Sequence, residues 1–262
     1  MDWRGLVASG EIIPELVRQR KFRKADKLSR LEALDALHYK VSRWTWHELT
    51  RYVRSVTGGL GDTEDEPFDV VRMGLAGSVI AWPEVVKQGG RVLEIGTGIG
   101  RTRYAIHITT STTIYMSIDV DPVMLAIALY ANPVPAYQDA LWKQDMLVLL
   151  ADAVRLIPLL PDTYFDHVVH DGGPNPRRNP RLYTRSVIHH LWRVLKPCGT
   201  LSIFAGAERT WRTRIYEMLR DAGFVVEETV HLPGSRAAVI HARKPCHAGS
   251  NLHDERDESL GD

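Results

Sequence analysis

A glycine-rich turn preceded by an acidic residue is the stretch of this sequence best suited to hold a ligand. Residues 91–102 read RVLEIGTGIGRT, with Gly96, Gly98 and Gly100 at alternate positions and Glu94 just before them. Glycine adopts positive φ angles at little cost and lets a ligand approach the backbone closely. The apolar residues before the turn predict a buried strand, and those after it predict a helix whose first N–H groups face the turn.

Three aspartates follow later predicted strands, each close to the point where the strand ends. Asp119 follows TIYMSI, Asp152 comes soon after MLVLL, and Asp171 comes soon after FDHVV. In a doubly wound sheet the ligand site lies beyond the carboxyl ends of the strands. Each aspartate alone is explained equally well as a helix cap or turn residue. Together with the glycine turn, however, they predict one binding site along one edge of a sheet.

The positions of these acids suggest which part of a ligand each would contact. Asp119 lies 23 residues after Gly96, close to the roughly 20 residues expected for an acid that hydrogen-bonds a ribose. Asp152 is suited to accept from the exocyclic amine of adenine, with the small Ala153 leaving room for the ring. Helix N-capping is the alternative role for Asp152, and Asp121 is interpreted as the N-cap of the helix that follows it.

Strands and helices alternate from residue 91 onward, which predicts a Rossmann-like α/β fold. Such alternation implies a doubly wound, mostly parallel sheet with helices on both faces. The last two predicted strands, 224–230 and 237–242, have a short connection, which predicts a C-terminal antiparallel hairpin. We divide the chain into an N-terminal helical segment at 1–65, a Rossmann-like domain at 66–244 and a disordered tail at 245–262.

The N-terminal segment is predicted to be mostly helical. Apolar residues at helical spacing predict helices at 11–20 and 25–37, the second with a face of leucines. Composition predicts a loop at 58–67, and residues 68–73 predict a short strand. A basic cluster between residues 18 and 30 is interpreted either as a solvated helix face or as a patch that contacts the phosphates of RNA or a nucleotide.

Five stretches resemble, in order, the motifs of class I S-adenosylmethionine-dependent methyltransferases: VLEIGTGIG, SIDVDP, LADA, FDHVVHD and LWRVLKPCGTLSIFAG. The resemblance covers about residues 90–244, roughly three fifths of the chain. The resemblance implies S-adenosylmethionine as the cofactor. It further implies that Glu94 stands near the methionine amino group and Asp119 on the ribose, with Asp152 and Ala153 at the adenine.

The segment after the fourth strand of this domain, HDGGPNPRRNPRLY, decides what would be modified. Asp171 stands where the donor sulfur would meet the acceptor and is the predicted catalytic residue. The segment resembles archaeal predicted methyltransferases, which carry D-P-P-R here, and the D-G-A-P-N of RNA ribose 2′-O-methyltransferases. The latter use a lysine on the next strand, where this chain has Ser202, Ile203 and Phe204. The arginines of the segment favour an anionic acceptor, either RNA or a small molecule.

Other interpretations stay open. Spermidine-synthase-like aminopropyltransferases share the fold and use decarboxylated S-adenosylmethionine, although Arg177, Arg178 and Arg181 would repel a polyamine. A non-catalytic RNA- or nucleotide-binding module would depend on the basic cluster instead. His170, next to Asp171, is a candidate general base, although a hydrogen-bonded core histidine is the commoner role.

Composition excludes some classes of function. The 262 residues carry a net charge of +1, so no overall field attracts nucleic acid or a membrane. No apolar run approaches the roughly 20 residues needed to cross a bilayer.

The two cysteines, Cys198 and Cys246, form no C-x-x-C pair and favour a reducing cytoplasm. Cys198 occupies a turn, K-P-C-G, where the family carries K-P-G-G. The adjacent histidines at 189 and 190 form no H-x-x-x-H pair, so no metal is predicted.

Overall fold

A computed structural model describes residues 10–57 and 70–246. The α-helices in these ranges are α1 (Ile12–Arg18), α2 (Phe22–Tyr39), α3 (Trp46–Thr57), α4 (Val70–Ala81), α5 (Arg101–Thr109), α6 (Pro122–Tyr130), α7 (Pro135–Leu141), α8 (Ala153–Leu156), α9 (Arg185–Val194) and α10 (Arg209–Asp221). The strands are β1 (Gly90–Ile95), β2 (Thr112–Asp119), β3 (Met146–Leu150), β4 (Phe165–His170), β5 (Leu195–Gly206), β6 (Val225–His231) and β7 (Ala238–Arg243). Among the described helices, none has the length and apolar character that a bilayer crossing requires.

The strands form one seven-stranded sheet in the order β3-β2-β1-β4-β5-β7-β6. Strands β1 to β5 pair in parallel, whereas β7 runs antiparallel to both β5 and β6. The predicted Rossmann-like fold with a C-terminal antiparallel pair is therefore confirmed. The chain winds outward from β1 in one direction and from β4 in the other. A crevice opens at such a switch point, which is where folds of this class bind ligands.

Successive side chains of each strand point to opposite sides of the sheet, and helices bury both sides along most of it, whereas the edge strand β6 is largely exposed. Leu93 and Ile95 of β1 join a core that α1, α9 and α10 complete. Val92 faces the other core, to which α4, α5, α6 and α7 contribute. Each fully buried Leu, Ile or Val contributes about 1.5–3 kcal/mol of transfer free energy. This two-sided core holds the strand ends in register.

Helix α2 covers the open edge of the sheet at β3. The Asp26 carboxylate accepts from the Val148 N–H at 2.8 Å, and the Ser29 hydroxyl accepts from the Leu150 N–H at 2.9 Å. An edge strand otherwise presents these N–H groups unpaired. Polar side chains of the helix therefore take the place of a neighbouring strand.

The buried face of α2 is a stripe of small residues. Ala25, Ser29 and Ala33 are fully buried, whereas Leu31 keeps 44% of its surface exposed. Residues four apart share one helix face, and small side chains there let the helix approach the strand edge closely. Of the predicted face of leucines, Leu28 and Leu37 pack partly buried against the cores, whereas close approach to the sheet places the small residues at the most buried positions.

Part of the basic cluster anchors α2 to the rest of the fold. Arg23 donates to the Gln144 carbonyl at 2.6 Å. Arg30 donates to Asp26 at 2.8 Å and to the Leu141 carbonyl at 3.1 Å. These contacts support the helix-face interpretation of the cluster for these two arginines.

The predicted strand at 68–73 was wrong, because residues 70–73 begin helix α4. The buried residues of α4 include Met73, Ala76, Gly77 and Ile80, which follow helical spacing that a six-residue window does not reveal. Residues 68 and 69, and the loop predicted at 58–67, lie outside the described residues.

The two cysteines meet at the turn near the start of β5. Cys198 has a φ of +62° in the predicted turn and forms a disulfide with Cys246, with the two Cα atoms 4.2 Å apart. The carbonyl of Pro245 accepts from the Cys198 N–H at 3.4 Å. The cysteine count did not predict this pairing, because it depends on the end of β7 lying beside the turn. Residues 247–262 of the predicted tail lie outside the described residues.

Candidate functional site

A cavity of about 790 Å³ lies at the carboxyl ends of β1 to β4. Small-molecule sites usually occupy about 300–1,000 Å³. Six of the predicted site residues line this cavity: Gly96, Gly98, Asp119, Asp152, Ala153 and Asp171. The structure therefore brings together residues that lie 75 positions apart in the sequence. Their individual contacts to a ligand stay predictions.

The glycine turn is shaped so that side chains at its first and last glycines would collide with the fold. Gly96 has a φ of +89°, and a Cβ there would lie 2.3 Å from the Asp171 carbonyl oxygen. Gly100 has a φ of +90°, and a Cβ there would lie 2.9 Å from Leu141. Gly100 therefore acts by packing against α7 outside the cavity. Gly96 lets the end of β1 approach the end of β4.

Glu94 lies beneath the turn and is fully buried. Its carboxylate accepts from the Ser117 hydroxyl at 2.6 Å and from the Thr102 hydroxyl. Burial raises the pKa of Glu94 to about 7, although both hydroxyl hydrogen bonds act against the rise. Glu94 does not line the cavity. It is placed to support the turn from below, and its predicted position near a methionine amino group stays a prediction.

Asp119 holds the turn in shape from within the cavity. One carboxylate oxygen accepts from the N–H groups of Thr97 at 3.0 Å and Gly98 at 3.3 Å, and the other accepts from the Asp121 N–H at 3.0 Å. Burial raises the pKa of Asp119 to about 6, against the effect of these backbone hydrogen bonds. The oxygen that binds the Asp121 N–H can accept a further hydrogen bond, so a ribose hydroxyl contact is compatible with this arrangement.

Asp152 lies at the β3 end of the cavity and makes two structural contacts there. One oxygen accepts from the Val154 N–H at 3.0 Å and caps α8, which is the alternative role that the sequence allowed. The other oxygen accepts from Arg181 at 3.1 Å. Ala153 follows directly in the cavity wall and is 6% exposed. The adenine contacts of both residues stay predictions.

Asp171 forms a buried ion pair with Arg101, the first residue of α5. The Arg101 guanidinium donates to one Asp171 oxygen at 3.0 Å, and the two side chains are 9% and 13% exposed. Burial raises the pKa of Asp171, while Arg101 opposes the rise. The predicted catalytic carboxylate is thus held in one orientation by a cation that also lines the cavity.

Sequence reasoning missed Arg101 as a site residue. It lies at the start of a helix, where the helix dipole disfavours a positive charge. A residue that breaks a local rule often marks a functional position, so the sequence did contain a signal. The partner, Asp171, is 70 residues away and could not be assigned to it from spacing.

Helix α3 of the N-terminal segment contributes to the cavity wall. Arg54, Ser55 and Val56 line the cavity, and the Tyr52 hydroxyl donates to Asp121 at its rim. The N-cap role predicted for Asp121 is confirmed, since its other oxygen accepts from two N–H groups at the start of α6. The contact between Tyr52 and Asp121 joins residues 69 positions apart, so spacing alone could not assign it.

His170 is a core residue. It is fully buried, and its Nε2 lies 3.0 Å from the Leu182 carbonyl oxygen. Burial lowers its pKa to about 4. It does not line the cavity, so the structure favours the hydrogen-bonded alternative over the candidate general base.

Residues 132–245 match the model of a family described as S-adenosyl-L-methionine-dependent methyltransferase. An uncharacterized protein of Methanocaldococcus jannaschii, MJ1233, is 32% identical over 146 residues, which cover 53% of this chain and 48% of the relative. The chain thus spans about half the length of the curated relative it matches. The predicted resemblance to this methyltransferase class is confirmed over these residues, and the matched family is described by its dependence on the predicted cofactor, S-adenosylmethionine.

Solved structures of spermidine synthases share the fold. One, in complex with the transition state analogue AdoDATO, is 15% identical and has a TM-score of 0.59, covering 66% of this chain and 62% of that chain. The Thermotoga maritima enzyme is 15% identical with a TM-score of 0.55, covering 66% of this chain and 61% of that chain. At this identity the likeness extends to the fold alone.

Proposed function

We propose that this chain transfers the methyl group of S-adenosylmethionine to an anionic acceptor. One observation carries the proposal: the glycine turn, Asp119, Asp152 and Asp171 line a single cavity at the carboxyl ends of four parallel strands. The match of residues 132–245 to a family of such methyltransferases supports the same reading.

The residues of the cavity fit the cofactor chemically. Asp119 supplies carboxylate oxygens suited to a ribose diol, and Asp152 supplies one suited to an exocyclic amine. Ala153 offers a small surface where a flat ring needs room. The backbone around Gly96 and Gly98 is open to close approach. The cavity of about 790 Å³ leaves space for an acceptor beside the cofactor.

The cofactor supplies an activated methyl group on a sulfonium, so the protein mainly has to position the acceptor and exclude water. Asp171 is the proposed catalytic residue. Its raised pKa makes it a better proton acceptor than an exposed aspartate, and its ion pair with Arg101 fixes its orientation. Helix α3 contributes Arg54, Ser55 and Val56 to the cavity wall.

Arginines in the cavity wall support an anionic acceptor. Arg54, Arg178 and Arg181 line the cavity, the last paired with Asp152. Guanidinium groups recognise phosphate and carboxylate bidentately. RNA and phosphorylated or carboxylated small molecules are the acceptor classes that fit. Ribose 2′-hydroxyl chemistry is disfavoured, because β5 carries Ser202, Ile203 and Phe204 where that family has a lysine.

Aminopropyl transfer is the second candidate function, favoured by the fold shared with spermidine synthases. A dicationic polyamine would meet the same three arginines, which disfavours this alternative.

Calorimetry with S-adenosylmethionine tests the donor half of the proposal. We expect the wild type to bind and Asp119→Ala to lose about 10–100-fold in affinity, as for removal of a charge-assisted hydrogen-bond partner. Asp139→Ala, at an exposed carboxylate on α7 outside the cavity, is the matched control and should bind like the wild type. Absence of binding, or equal binding by Asp119→Ala, would refute the donor assignment.

A labelled-donor experiment tests the acceptor. The protein is incubated with methyl-labelled S-adenosylmethionine and cell extract, and label is then measured in RNA, protein and small-molecule fractions. Label in RNA or in anionic small molecules supports the proposal, and exclusive labelling of protein or cationic metabolites contradicts it. Asp171→Asn should lower incorporation by about 100-fold or more, the range seen for positioned acid–base groups.

A further inference from the structure

Arg101 differs from the arginines of the loop after β4 because it is buried. It is 8% exposed, whereas Arg178 and Arg181 are exposed. Helix α4 packs tightly on its backbone, since a Cβ at Gly77 would lie 3.1 Å from the Arg101 carbonyl oxygen. The guanidinium is therefore fixed in the cavity wall, and a buried cation is costly unless anionic groups surround it.

Asp171 accepts a hydrogen bond from only one nitrogen of this guanidinium. One Arg101 nitrogen donates to one Asp171 oxygen at 3.0 Å. Among the hydrogen bonds between described residues, no other involves either side chain. A guanidinium carries five N–H donors in a planar fork that matches a carboxylate. Because Arg101 lines the cavity, its remaining donors are available to an anionic group of a ligand.

The strand order fixes which part of the cofactor reaches Arg101. Asp152 follows β3, Asp119 ends β2, the glycine turn follows β1, and Asp171 follows β4, in the spatial order β3-β2-β1-β4. Adjacent strands lie about 4.8 Å apart, so this row is about 14 Å long. A cofactor with its adenine at Asp152 and its ribose at Asp119 directs its amino-acid end toward Arg101. That end carries an α-carboxylate.

We infer that Arg101 is the specificity-determining residue that binds the donor α-carboxylate and so selects S-adenosylmethionine over its decarboxylated form. This inference rests on the proposed function. The Asp171 oxygen that binds Arg101 holds the guanidinium in place, and the second oxygen remains for the acceptor. The decarboxylated donor has hydrogen where the carboxylate would be, and it leaves Arg101 without that partner. Sites built to bind a polar group reject an analogue that lacks it, because the buried partner is left unpaired.

Calorimetry with three ligands tests the inference: S-adenosylmethionine, its decarboxylated form, and 5′-methylthioadenosine, which has no amino-acid end. We expect the wild type to prefer S-adenosylmethionine over the decarboxylated form by about 10–100-fold. Arg101→Met should bring this ratio to within about threefold while leaving the affinity for 5′-methylthioadenosine nearly unchanged. Arg101→Lys, which keeps the charge but not the fork, should give an intermediate ratio.

Arg177→Met is the matched control, because Arg177 has a 76% exposed side chain and pairs with Glu208 at 3.7 Å. It should keep the wild-type ratio. The ratio of two affinities measured on one preparation does not depend on the fraction of folded protein, so partial unfolding of a variant does not imitate the effect. An unchanged ratio in Arg101→Met overturns the inference, as does a wild-type preference for the decarboxylated donor. If no adenosyl ligand binds the wild type, the proposed function fails as well, and the two failures are thereby distinguished.

Discussion

The two halves of the cavity are built in different ways. On the side of β1 to β3, the carboxylates accept hydrogen bonds from backbone N–H groups near them. Asp119 accepts from the glycine turn, and Asp152 caps the helix that follows it. On the side of β4, Asp171 depends on Arg101, and the wall is completed by α3 from the N-terminal segment. The proposed donor side is thus a set of strand-end motifs, whereas the proposed acceptor side is assembled from distant parts of the chain, with Arg101 at the junction of the two.

This difference teaches where the specificity of the protein resides. A donor side made from local motifs can be recognised in the sequence, and so indicates a cofactor class. An acceptor side made from long-range pairings is determined by tertiary contacts. The approach of Gly96 to the Asp171 carbonyl joins the two sides, so changes at that point should affect both.

Gly96→Ala should have the largest effect. Its Cβ would lie 2.3 Å from the Asp171 carbonyl oxygen, at a φ of +89°. We expect loss of donor binding by about 100-fold or more, because small displacements in such sites are costly. Gly10→Ala is the control, since Gly10 has a φ of +64° with nothing within 4 Å of an added Cβ. It isolates the cost of backbone strain, about 1–3 kcal/mol. Urea unfolding measures the stability of the two variants, and calorimetry measures their donor affinity. Equal loss of donor affinity in Gly96→Ala and Gly10→Ala would mean that the two sides are not joined at Gly96.

Glu94→Gln should alter the pH dependence of the free energy of unfolding. Because the pKa of Glu94 is raised to about 7 in the folded state, its contribution to stability is present below about pH 4.5 and is lost as pH rises to 7. Glutamine does not ionise, so the variant does not lose stability in this way. Its free energy of unfolding minus that of the wild type should therefore rise by about 3 kcal/mol between pH 4.5 and 7.

The difference between variant and wild type is the quantity to measure, since other groups titrate equally in both. Glu84→Gln, at an exposed position, is the control and should give a difference that is flat with pH. A flat difference for Glu94→Gln as well would show that its carboxylate is not buried beneath the turn.

Asp26→Ala should have the smallest effect and should leave both sides of the cavity intact. It removes the acceptor of the Val148 N–H at the sheet edge, which should destabilise the fold by about 1–2 kcal/mol. Asp26→Asn, which keeps an acceptor oxygen, should recover most of the loss, and the exposed neighbour Lys27→Ala should cost little. Urea unfolding and hydrogen exchange at the Val148 amide provide the measurement. Loss of donor binding in Asp26→Ala would contradict this separation of roles.

The donor side could be predicted from the sequence because its signals are local. Strand periodicity, the alternating glycines and the acids at the strand ends lie within short windows, and the parallel topology places them at one edge. The position of Glu94 could also have been predicted. Alternation along β1 puts it on the side opposite Ile95, beneath the turn.

The acceptor side could not be predicted in the same way. The pair of Arg101 with Asp171 and the contact of Tyr52 with Asp121 join residues about 70 positions apart. The edge contacts of α2 likewise depend on which strand lies outermost. Composition and periodicity describe neighbours along the chain, whereas these contacts are fixed by the tertiary packing of elements.

The covering of β3 by α2 has a consequence for biosynthesis. Asp26 and Val148 are 122 residues apart, so α2 leaves the ribosome long before its partner strand exists. At about 5–20 residues per second, the delay is roughly 6–24 s. During that interval the small-residue face of α2 has no sheet to cover. Helix α2 therefore cannot dock on β3 before β1, β2 and β3 have all been synthesised.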